Sequence, residues 1–226
     1  IESMSMDNVD QNYEADDELF NEEEQQQKQE AGKTDGGHNF LLRIAPHTDN
    51  TMVMRKYTDH CDLGLFTSDN QCCFKTKISN IADSQGKNLS ASDMLTHNED
   101  HGLLLLDENR PHEIFDMNLD RGEVIGTYNT NDSMSVPHPV THIIHQYQND
   151  SSQPVFIGFN HKNTMYLDTR VENTIVKRSD YKGNNQFVCG ITTRSGRMAM
   201  GSADGIIRLY KEPCRSRATV NFSVNV

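Results

Sequence analysis

The sequence predicts an all-β fold: a β-propeller of about four blades, preceded by an acidic, disordered segment. Three observations predict it. Short apolar runs recur from residue 39 onward, separated by Asp, Asn, Gly and Ser. No stretch sustains a 3.6-residue apolar period. A strand–turn–strand–turn–strand unit recurs at spacings of roughly 40, 52 and 43 residues, near the period of a propeller blade.

The first element is the acidic segment, residues 1–38. Residues 1–30 hold eleven acidic side chains and one lysine. Like charges repel, and so few apolar groups cannot offset the entropy of ordering the chain. Leu19 and Phe20 stand amid the acids, as an acidic–hydrophobic interaction motif would, but a solvated tail is the better reading of them. The rest of the chain is nearly charge-balanced, so most of the net charge of −12 belongs to this segment. It repels nucleic acid and can attract basic partners. The chain has 226 residues with 35% hydrophobic side chains and a mean hydropathy of −0.72, so part of it does not pack. The longest apolar run, Leu103-Leu104-Leu105-Leu106, is far short of the ~20 residues of a membrane-spanning helix. No integral membrane association is expected.

The second element, residues 39–212, carries the blades. Strands are predicted at 40–45, 51–57, 62–66, 71–78, 103–107, 113–117 and 124–128, then at 141–145, 155–160, 164–168, 174–177, 187–193, 197–201 and 206–210. The recurrence is clearest between two stretches. Leu103-Leu104-Leu105-Leu106, Ile114-Phe115-Asp116-Met117 and Val124-Ile125 form one. Val155-Phe156-Ile157-Gly158, Met165-Tyr166-Leu167-Asp168 and Ile175-Val176 form the other. Similar runs begin near Leu63 and Met198. In Gly201-Ser202-Ala203-Asp204-Gly205, the Asp-Gly pair supplies the positive φ of a tight hairpin. With Ile206 to Tyr210 alternating behind it, the stretch looks like the last hairpin of a WD40 blade, with Tyr210-Lys211 in place of Trp-Asp. Residues 213–226 form a C-terminal tail to which the pattern assigns no structure.

Three segments together resemble the C-terminal WD40-like domain of the vacuolar import and degradation protein 27 family. Ile114 through Val124, with Asp120-Arg121-Gly122-Glu123-Val124, resembles its Asp-Leu-x-Arg-Gly-Lys-Val segment. Phe156-Ile157-Gly158-Phe159 with Asp168-Thr169-Arg170 resembles its Phe-Leu-Gly and Asp-Pro-Arg segments, Thr169 replacing the proline. Gly205-Ile206-Ile207-Arg208-Leu209-Tyr210 resembles its Gly-x-Ile-Arg-Leu-(Phe/Tyr) segment. An acidic stretch ahead of the β domain is a further similarity. The likeness covers about residues 40–211 and is strongest from Leu103. Beyond Lys211 the family continues into further blades and this sequence departs, so the propeller is expected to be incomplete. The resemblance implies a non-enzymatic cytoplasmic protein, with the nucleus a second possible compartment. It also implies vacuolar degradation of a gluconeogenic enzyme and negative regulation of gluconeogenesis.

Motifs of catalysis are weak. Gly32-Lys33-Thr34 echoes a phosphate-binding loop, but Gln27 replaces the required Gly and no apolar strand precedes it. His97 and His101 have the spacing of a zinc-binding pair, but Asn98 stands where a catalytic Glu follows the first His, so a polar turn is expected. His138, His142 and His145 form the densest histidine cluster and define the alternative function, an all-β metal-dependent hydrolase. Pro137 and Pro139 argue against a helix there, and on a strand His142 and His145 face opposite sides. No Gly-x-Ser-x-Gly elbow exists. Cys61, Cys72, Cys73, Cys189 and Cys214 have no framework spacing, which fits reduced thiols. The leading expectation is therefore a protein-binding scaffold with no cofactor, no catalytic residues and no metal ligands. Its partners are other proteins, including ones with basic segments that contact the acidic tail.

Overall fold

The computed structural model describes residues 40–47, 50–67, 73–97, 101–146, 155–181 and 186–223. Residues 1–38, with Leu19, Phe20 and the Gly32-Lys33-Thr34 triplet, lie outside the described residues, as does Cys72. The chain divides into two units, 1–38 and 39–226. The second unit is all-β, and its described strands make four antiparallel sheets of four.

Blade 1 is β1 (Phe40–His47), β2 (Asn50–Lys56), β3 (Cys61–Thr67) and β4 (Phe74–Ile78). Blade 2 is β5 (Ala91–His97), β6 (Gly102–Asp107), β7 (Arg110–Asn118) and β8 (Glu123–Asn129). Blade 3 is β9 (His142–His145), β10 (Val155–Phe159), β11 (Asn163–Asp168) and β12 (Ile175–Asp180). Blade 4 is β13 (Phe187–Thr192), β14 (Met198–Ser202), β15 (Ile206–Tyr210) and β16 (Val220–Ser223). Each blade is a simple meander in which strands consecutive in sequence pair. The first strands approach across blades: β5 packs against β1 and β9, and β9 packs against β13. This is the radial order of a propeller.

The leucine run explains itself once blade 2 lies between two neighbours. All six residues of β6 are buried. Leu103 and Leu105 enter the core shared with blade 1, beside Met52, Met54, Leu63, Phe115 and Met117. Leu104 and Leu106 enter the core shared with blade 3, beside Ile114, Ile143, Phe156 and Leu167. Successive side chains point to opposite faces, so a strand covered on both faces reads as a continuous apolar run. Blade 3 divides likewise, with Phe156, Met165 and Leu167 facing blade 2, and Ile157, Phe159 and Tyr166 facing Met198, Met200 and Tyr210 of blade 4. Gly158 marks a close approach on the blade 2 side. A Cβ there would lie 2.7 Å from Leu167 and 3.0 Å from Val140.

The connectors between blades repeat a device. Asp83 Oδ1 accepts the N–H groups of Gln85 and Lys87, both at 2.9 Å. Asp132 Oδ1 accepts those of Met134 and Val136 at 2.9 and 3.0 Å. Each loop closes through the aspartate's own N–H, to Lys87 O and to Val136 O respectively. Gly86 (φ 78°) and Ser135 (φ 58°) take the left-handed position that each turn requires. The second connector also anchors the next blade: Ile175 donates to Asn131 O at 2.9 Å, and Thr174 Oγ1 to Asn129 O at 2.7 Å.

Several expectations change. Residues 91–97, assigned no strand from the sequence, form the inner strand of blade 2. The strand expected at 71–78 is described from Phe74. The Gly201–Tyr210 hairpin is the middle hairpin of its blade, β14–β15, because β15 pairs onward with β16. Gly205 has φ 75°, as the Asp-Gly turn demands, and Tyr210 at the end of β15 is buried edge-on against Tyr181. The described part of 213–226 is ordered into a loop and β16, with Cys214 buried and its thiol 3.7 Å from Lys177 O.

Candidate interaction surface

The inner strands bring polar groups to the centre of the array. Ser92 and Asp93 of β5, His142 and Ile144 of β9, and Val188 to Gly190 of β13 line a cavity of about 240 Å³, with Phe159 behind them. Asp93 is buried. Its Oδ1 accepts the Met94 N–H and its Oδ2 accepts the Ile143 N–H, both at 2.9 Å, so one carboxylate ties β5 to β9 across the blade boundary. His142 stacks on Phe159 with centroids 4.8 Å apart and planes within 7°, and its Nδ1 lies 2.9 Å from Thr141 Oγ1. A similar tie joins β13 to β9, where Thr192 Oγ1 donates to His145 O.

A second polar group stands inside blade 2. His97 Nε2 lies 2.8 Å from Asp116 Oδ1, and Tyr128 donates to Asp116 Oδ2 at 2.9 Å. Burial works to raise the Asp116 carboxyl, but the bonds from His97 and Tyr128 outweigh it and hold it below the usual carboxylate value. Burial, with the carboxylate alongside, pushes the Tyr128 hydroxyl up to about 12. His97 is thus a half-buried strut at the end of β5, and not part of a polar turn. His101 sits apart and exposed, 3.0 Å from Asp120.

The histidines of the hydrolase alternative do not converge. His138 Nε2 meets Asp132 Oδ2 at 2.9 Å, with Arg178 against the same ring. The bond to His138, helped by the turn's backbone, depresses the Asp132 carboxyl to about 2. His142 lies on Phe159 at the central cavity, and His145 closes β9 three residues on. His138 and His142 are thus spent on separate contacts. Among the described residues no three His, Cys, Asp or Glu side chains are grouped to hold an ion.

Arg110 is the remaining junction. It donates through Nε to Asp107 at 2.8 Å and through Nη1 to Asp83 at 2.5 Å, and its guanidinium lies 4.4 Å over Phe115. It therefore locks the β6–β7 turn to the blade 1–2 connector. Of the described thiols, those of Cys61 and Cys214 are buried and those of Cys73 and Cys189 exposed. Burial pushes those of Cys61 and Cys214 up to about 11, which keeps them protonated and unreactive near neutrality.

Sequence reasoning did not find Asp93 or the Asp83/Asp132 pair. The first was an acid inside a short run with few apolar residues. The second left a readable signal, an Asp-Ser pair three to five residues after the end of a strand in both connectors.

Comparison with known proteins agrees with this geometry. Residues 37–220 match the VID27 C-terminal WD40-like domain. The chain is 28% identical over 193 residues to vacuolar import and degradation protein 27 of Schizosaccharomyces pombe, and 26% identical over 179 residues to that of Saccharomyces cerevisiae. These alignments cover 83% and 76% of the chain but only 23% and 22% of the relatives. Among solved structures, the RRP9 WD40 repeats superpose with a TM-score of 0.51 at 11% identity, over 76% of this chain and 51% of that one. The Neurospora crassa Pan2 WD40 domain gives 0.53 at 10%, over 81% and 49%. At such identities the likeness is one of fold.

Proposed function

Because the chain belongs to the family of the VID27 C-terminal WD40-like domain, we propose that it is a non-enzymatic scaffold that holds other proteins. One observation carries this reading. Asp93, Asp116, His97, Arg110 and His138 are each bonded between strands, connectors or blades, so the chemistry-bearing side chains serve as struts. A rigid radial array then offers its turns and open faces as binding surface.

The finer reading goes beyond the relatives' name, which gives vacuolar import and degradation alone. The scaffold acts in vacuolar import and degradation, brings a gluconeogenic enzyme to that route, and so restrains gluconeogenesis. It works in the cytoplasm, with the nucleus as a second compartment, and residues 1–38 recruit basic segments of partners by screened charge attraction. Two experiments test this. Following the half-life of a gluconeogenic enzyme after glucose is restored should show slower loss in cells lacking the protein, and an unchanged half-life contradicts the degradative role. Affinity capture at low salt, with the chain and with residues 1–38 removed, should lose basic partners in the shortened form. Identical partner sets sink the claim about the acidic segment.

A further inference from the structure

The cavity at the centre of the array is built at the two internal boundaries that join blades 2, 3 and 4. Asp93 comes from β5, His142 and Ile144 from β9, and Val188 and Gly190 from β13. Asp93 ties blade 2 to blade 3 through the Ile143 N–H. Gly190 lets blade 4 close on blade 3, since a Cβ there would lie 3.3 Å from Phe159 and 3.4 Å from Ile144. The volume, about 240 Å³, is below the ~300–1,000 Å³ of pockets that take a whole drug-sized molecule. It has room for one side chain.

The lining selects which side chain. Among the described residues it holds one carboxylate, Asp93, and no lysine or arginine. A carboxylate offers about four acceptor sites, so two backbone N–H bonds do not saturate it. An acidic occupant would bring a second negative charge beside this one. A wholly apolar one would cover Ile144 and Val188 but return no hydrogen bond to a buried acid. The His142 ring lies parallel to Phe159, which covers one face and leaves the other face and the edge to the cavity. Ring and carboxylate together suit a planar cation, and this chain already uses the pairing. The Arg110 guanidinium lies 4.4 Å over Phe115 while bonding Asp107 and Asp83, and Arg178 lies against the His138 ring that meets Asp132. Guanidinium stacks on rings and is weakly hydrated, whereas ammonium is a compact, strongly hydrated charge.

We propose that this cavity takes an arginine side chain of a partner protein. The guanidinium lies against the His142 ring and donates to Asp93, and the methylene stem runs along Ile144 and Val188. This rests on the scaffold reading and names the group by which a partner is held.

The test is an NMR titration of the 226-residue chain with N-acetyl-arginine methylamide, its neutral citrulline isostere and the lysine equivalent, read at histidine-ring and isoleucine-methyl signals. The arginine compound should shift the His142 and Ile144 signals saturably. The citrulline compound should bind at least about tenfold more weakly, and the lysine compound more weakly than arginine. His142→Ala leaves both backbone bonds of Asp93 in place and should weaken arginine by about tenfold or more, with the circular dichroism spectrum unchanged. Asp93→Asn keeps one acceptor oxygen and removes the charge, so it should bring arginine and citrulline within about threefold of each other. Equal binding of arginine and citrulline to the wild type, lysine binding as tightly as arginine, or full arginine affinity in His142→Ala overturns the proposal. So do His142 and Ile144 signals that do not move. In affinity capture, His142→Ala should lose proteins that the wild type retains. Equal partner sets remove this site and leave the scaffold reading standing, and a wild-type chain that retains no protein removes both.

Discussion

Asp93 shows how a single residue sets a blade boundary. Its carboxylate holds two backbone N–H groups, one of them in the next blade, at a buried position. Asp93→Ala orphans both donors and should cost about 1–3 kcal/mol each, whereas Asp93→Asn keeps one acceptor oxygen and should cost less. Urea unfolding of the pair checks this, and equal losses would mean that the carboxylate is not bridging. The depressed carboxyls give a signed pH dependence. Asp132 falls to about 2 in the fold from ~3.9 in the unfolded chain, and Asp116 is shifted the same way. A carboxyl lowered on folding stabilises fully above its unfolded value, and loses that contribution as pH falls through its folded value. Stability should therefore decline below about pH 4, and Asp116→Asn should flatten that decline while lowering the thermal midpoint at pH 7. An acid profile indistinguishable from wild type would contradict the assignment.

At the scale of the element, each strand's visibility in the sequence depended on which groups its blade boundary uses. β6, β7, β10 and β11 were legible because both of their faces are apolar. Leu105→Ala should cost about 2–5 kcal/mol by opening the core of blades 1 and 2, and Leu104→Ala a similar amount on the opposite boundary. Calorimetry of both variants checks this, and a cost confined to one would mean that β6 is covered on one face only. β5 was missed because Ser92, Asp93 and Thr96 interrupt its apolar content, and its polar side chains serve as ties. β16 was missed because all four of its residues are exposed. The connectors carried a legible turn signal in Asp83 and Asp132. What those aspartates grip, Arg110 and His138, depends on contacts 27 and 6 residues away, which spacing alone does not disclose. The histidine cluster was read as ordinary blade-edge residues, with a hydrolase as the alternative; in the structure His138 meets Asp132 and His142 stacks on Phe159.

The described sheets of the molecule stack as blades whose boundaries hold many of the polar and charged side chains. If holding partners is its work, binding must depend on the stacking and not on the acidic segment alone. The most direct measurement is affinity capture with the chain and with the double variant D93A/L105A, in which residues 1–38 are unchanged but two blade boundaries are weakened. Loss of the partner set in the variant, alongside loss of its cooperative unfolding transition, is the predicted result. Retention of the same partners by a chain whose blades no longer stack would contradict the account.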